Sequence, residues 1–91
     1  MKTSDKAFLN NASNTLSGYM YEIQAINEKL KALLDAEQEA FDAASEEEQE
    51  SQAGQEAQFR IDALTTALDN LDDAANEIDS AMGYLEDASG D

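Results

Sequence analysis

Ninety-one residues with no Cys, His or Trp bound a single small domain, and they exclude disulfide staples, thiolate or imidazole metal sites and Cys or His catalysis. With 21 acids against five bases and a net charge of −16, direct binding to nucleic acid or to an anionic membrane is excluded as well. No apolar run of about 18 residues and no signal-like N-terminus is present, so the expected location is the cytoplasm.

At the N-terminus, Ser4 before Asp5 is a candidate helix N-cap, with a second candidate start near Ser13 because Asn10, Asn11, Asn14, Ser17 and Gly18 are weak helix formers. Leu9, Leu16, Ile23, Leu30, Glu37 and Ala44 then recur at steps of seven, and Ala12, Tyr19, Ile26, Leu33 and Ala40 follow the first five by three. That heptad pattern predicts a first helix over about residues 5–45, with Glu37 its one polar intrusion.

Residues 46–55 are expected to form the turn. Ser45 to Gly54 carries Glu46, Glu47, Glu48 and Glu50, has Ala53 as its one apolar side chain, and ends on a Gly suited to a helix C′ position. A second helix is predicted over about 56–88. Ala57, Ile61, Leu64, Leu68, Leu71, Ala75, Ile78, Met82 and Leu85 alternate steps of four and three. Ser89, Gly90 and Asp91 are expected to fray.

The expected fold is therefore all-α, an antiparallel two-helix coiled-coil hairpin forming one domain over 1–91. Two registers remain open, one pairing positions whose numbers sum to 101, such as Leu33 with Leu68, and one summing to 108. A lone hairpin has a thin core, and apolar residues beside the seam predict a homodimeric four-helix bundle. Met20, Leu34, Phe41 and Phe59 are the expected oligomer interface, with Phe8 and Tyr84 also apolar outside the seam.

The candidate partner-binding residues are acids. From Ala32 onward there are 18 acids and one base, Arg60; single-sign surfaces repel themselves, so this bias needs a reason. The candidates are Glu46, Glu47, Glu48 and Glu50 in the turn and Asp62, Asp69, Asp72, Asp73, Glu77, Asp79, Glu86 and Asp87 on the second helix. With Glu56, the second helix holds about one charge per 5 Å. Duplex DNA carries one per about 1.7 Å, so two such helices and a dimer mate approach its density. No catalytic residue, metal site or cofactor is expected: the acids miss the EF-hand spacing and there is no Glu-x-x-His motif. Glu37 is expected to snorkel or to fix the register.

The stretch Asp35-Ala-Glu-Gln-Glu-Ala-Phe-Asp42, the segment Ile61-Asp-Ala-Leu and the repeating pattern from Leu68 to Ala81 resemble small acidic coiled-coil accessory proteins of bacteriophages and mobile elements. The similarity spans about residues 30–85, although this turn lacks the Pro and basic residues expected in that class. The resemblance implies a non-enzymatic accessory protein acting in the host cytoplasm; some such proteins block defence nucleases or CRISPR complexes by occupying their DNA sites. Three readings follow: a DNA mimic bound to a basic nucleic-acid-binding host protein, a coiled-coil adaptor using its apolar edge, and salt adaptation.

Overall fold

The computed structural model describes residues 1–90, which form helices α1 (Thr3–Ala43), α2 (Glu46–Glu50) and α3 (Gln52–Ser89), with no strand among them. The fold is all-α. Contacts group the chain into two compact units, one of Met1–Ala25 with the residues from Asp72 onward, the other of Ile26–Leu71. Asp91, placed in the fraying tail by the sequence, lies outside the described residues; Ser89 is helical, and its hydroxyl donates to Asn10 Oδ1 at 3.1 Å. α1 starts a residue ahead of Ser4 and continues through Ser13 without a break.

In the Ile26–Leu71 unit, the expected ten-residue turn is mostly helix. Ser45 caps α2 by accepting from the Glu48 amide at 3.2 Å, and Glu46, Glu47 and Glu48 sit in its first turn, where carboxylates favour the positive helix end. Ser51 then serves both neighbours. Its hydroxyl donates to the Glu48 carbonyl and accepts from the Gly54 amide at 3.2 Å, so α3 begins at Gln52. The Gln49 side-chain amide donates to the carbonyl of Phe41, in the last turn of α1, at 2.7 Å and to that of Ala44, just past its end, at 3.3 Å.

Gly54 is consequently not a C′ residue. It is helical, buried and without positive φ, and it is glycine because a Cβ there would lie 2.5 Å from the Gln49 carbonyl carbon and closer still to the carbonyl oxygens of Glu48 and Gln49. Gly54→Ala is expected to lower stability by about 1–3 kcal/mol, despite alanine's better helix propensity, because backbone must move aside. Gly83, in the same helix, has nothing within 4 Å of a built Cβ. Gly83→Ala should raise stability by about 0.5–1 kcal/mol, and thermal melts of the two variants check the contrast.

The α3 face agrees with its periodicity: all nine positions from Ala57 to Leu85 are buried or half-buried. Ile61, at 5% exposed, and Leu68, at 7%, are the buried apolar side chains. On α1 the covered face is different from the one expected. Leu9, Leu16, Ile23, Leu30, Glu37 and Ala44 are half-buried, but the row beside them is Ser13, Met20, Asn27, Leu34 and Phe41. Tyr19, Ile26 and Leu33 are 52%, 49% and 49% exposed.

Both rows flank the same central positions, so a seven-residue period does not choose between them. The corner does. There Phe41 is half-buried and Ala40 exposed, although both line the pocket with Ala44, Ala53, Gly54 and Ala57, and the Phe41 carbonyl is held by Gln49. Met20, unbranched and adaptable, suits a covered place on the same row. The shift of row also corrects the register. Side-chain hydrogen bonds between α1 and α3 join Arg60 to Glu37, numbers summing to 97, within the Ile26–Leu71 unit, and Ser89 to Asn10, summing to 99, within the other. Both contacts lie closer to a sum of 98 than to the 101 or 108 that the spacing left open.

Candidate functional site: an acidic flank and an apolar flank

Every acid singled out on α2 and α3 is exposed. The covered stripe of α3 divides the rest of that helix into two flanks. On one side, at i+4 from Gly54, Ile61, Leu68, Ala75 and Met82, lie Gln58, Thr65, Asp72, Asp79 and Glu86; beyond them come Asp62 and Asp69, then Asp73 and Asp87 on the outer edge. On the other side, one residue before the same positions from Ile61 on, lie Arg60, Ala67, Ala74, Ala81 and, before Ser89, Ala88. Glu56 and Glu77 are the acids on that second flank, beside Ala63, Asn70 and Tyr84. Seven acids therefore occupy the first flank and outer edge, and two the second.

α1 is divided the same way. Glu28, Asp35 and Asp42, with Lys31, flank one side of its covered stripe, and Tyr19, Ile26, Leu33 and Ala40 the other. In the Ile26–Leu71 unit the apolar flanks of both helices meet in an open groove of about 520 Å³, lined by Leu33, Ala36, Ala40, Phe59, Ala63 and Leu64. Glu37 and Arg60 close one edge of it. Arg60 Nε and a terminal guanidinium nitrogen each donate to one Glu37 carboxylate oxygen at 3.2 Å. This fork uses the one base after residue 32, which explains the polar intrusion in the seam, and its value is modest because Arg60 is half exposed.

Of the residues expected at an oligomer interface, Met20, Leu34 and Phe41 are half-buried in the covered row of α1. Phe59 alone is free, at 75% exposed. The exposed large apolar side chains include Tyr19, Ile26 and Leu33, the row that heptad spacing assigns to the seam, together with Phe8, Tyr21 and Tyr84. The spacing of Met20, Asn27 and Leu34 carried that signal, masked by the polar residues Ser13 and Asn27 in an otherwise apolar row.

Chemically, the acidic flank is a dispersed array. Among the described residues no three acids converge closely enough to hold a metal ion. Carboxylates fixed along a helix suit an extended cationic surface, such as a row of Lys and Arg side chains, better than a point charge. No described helix is long and apolar enough to cross a membrane. No protein-family profile, curated protein or solved structure matches the chain.

Proposed function

We propose that this chain is an antiparallel two-helix coiled-coil hairpin that pairs with a second copy into a four-helix assembly and acts as a non-enzymatic binding protein. Its partner is a basic nucleic-acid-binding protein or complex of the host cytoplasm, occupied where DNA would otherwise lie, as in phage anti-defence against CRISPR or restriction systems. The observation that carries this reading is the one-sidedness of the acids, seven on one flank and outer edge of α3 against two on the other. Charge kept only for solubility has no reason to be sorted in this way, since colloidal repulsion depends on net charge.

The test is capture from bacterial lysate on the immobilised protein, repeated with excess duplex DNA and at raised salt. One nucleic-acid-binding complex displaced by both challenges is the expected result. A specific partner that survives both would favour an adaptor working through the apolar groove beside Phe59, a reading supported by that side chain's exposure. Recovery of generic basic proteins alone would remove the DNA-mimic reading.

A further inference from the structure

Gly18 is helical in α1, yet a Cβ built on it meets nothing within 4 Å. A glycine in a helix interior costs stability, and nothing within the chain requires one at Gly18 or at Gly83; Gly18 differs in its neighbours. It belongs to a row of small residues, Gly18, Ala25 and Ala32, seven apart and all exposed, and each is followed directly by one of the large exposed residues Tyr19, Ile26 and Leu33. On the same face lie one acid and one base, Glu22 and Lys29, also seven apart.

We infer that this face of α1 docks the same face of a second copy, antiparallel, about a two-fold axis passing between Ala25 and Ile26. That single operation sets Leu33 of the partner subunit against Gly18, the partner's Ile26 against Ala25 and the partner's Tyr19 against Ala32. Large side chains meet small ones at every step. It also sets Glu22 against the partner's Lys29 and, by symmetry, Lys29 against the partner's Glu22, which is the reciprocity an isologous interface requires. Further out it brings exposed Phe8 against the partner's Ala43. Put by units, the Gly18–Ala25 patch of one chain receives the Ile26–Leu33 patch of the other.

Charge selects a second copy as the occupant. A chain at −16 meets itself at low cost only through a surface without excess acid. Between Gly18 and Leu33 this face holds one charge of each sign, placed so that two copies satisfy each other. The inference rests on the self-association within the reading above and names its surface, and it leaves the acidic flanks of both copies uncovered.

Light scattering and sedimentation across micromolar concentrations provide the test. The unsubstituted chain is expected to be dimeric. Gly18→Gln should weaken the dimer about tenfold or more by filling the space for the partner's Leu33, while helicity and the melting of the separated chain do not fall, because Gln is the better helix former. Glu22→Lys and Lys29→Glu should each weaken it, and the double exchange should restore it.

As the chain has no Cys of its own, Ala25→Cys near the axis should give a covalent dimer on oxidation, since a disulfide needs Cα atoms about 5.5 Å apart. Asp69→Cys on the acidic flank should not. A dimer insensitive to Gly18→Gln and to the charge exchange would overturn this face while leaving self-association and partner binding standing. A monomer at every concentration would overturn the face and the four-helix assembly together, with partner capture unaffected.

Discussion

Leu68→Ala is expected to lower the melting temperature by about 12–24 °C, a loss of roughly 3 kcal/mol. Leu68 is one of two apolar side chains buried to this degree, and no large side chain among the described residues is fully enclosed. A chain of this length has a total stability of roughly 5–14 kcal/mol, and so thin a core places it toward the lower end. The matching variant is Leu33→Ala. Heptad spacing in the sequence pairs Leu33 with Leu68 across the seam, whereas in the structure Leu33 is about half exposed and Leu30 is half-buried. At sub-micromolar protein, where self-association contributes little, Leu33→Ala should cost about 1 kcal/mol or less, since little area is lost and alanine favours helix. Denaturant titration of the two variants under those conditions decides the seam. Equal losses would mean that the covered row of α1 is the expected one after all.

That pair of leucines shows where the sequence was readable. α3 was legible in its main stripe, where the spacing identified all nine positions from Ala57 to Leu85, although it did not single out buried Gly54 or half-buried Ala67, Ala74 and Ser89. α1 carries two rows beside its central leucines and isoleucine, and the one with better apolar residues, Tyr19, Ile26 and Leu33, is the one left open. The covered row includes Ser13 and Asn27, whose burial depends on tertiary context that a count of apolar residues omits. The corner was obscured for a different reason. A run of Glu with two Ser and a Gly reads as a break, but Ser45 and Ser51 used as caps turn the same residues into a short helix and the start of a long one, and Gly54 answers to a close backbone approach. The acids were legible as a bias in composition, and their sorting on α3 follows from the stripe that its spacing already defines.

Sorting is what the second large prediction uses. Asp73→Lys with Asp79→Lys, and Glu56→Lys with Glu77→Lys, change the net charge by the same amount, four units, and all four positions are exposed. An attraction that depended on net charge would treat the two double variants alike. If the acidic flank and outer edge of α3 lie in a partner's basic channel, the first pair replaces two attractive contacts by two repulsive ones and should weaken binding by about 100-fold, near 2.7 kcal/mol. The second pair lies on the other flank of α3 and should change affinity less than about threefold. Binding by calorimetry to the captured partner, at two salt concentrations, separates the cases, and the salt dependence should flatten with the first pair alone. Neither pair should destabilise the helix, because removing like charges from a chain at −16 relieves repulsion. Loss of binding with stability unchanged or raised therefore reports on the flank itself, and equal losses from both pairs would reduce the acids of α3 to a diffuse charge with no preferred face.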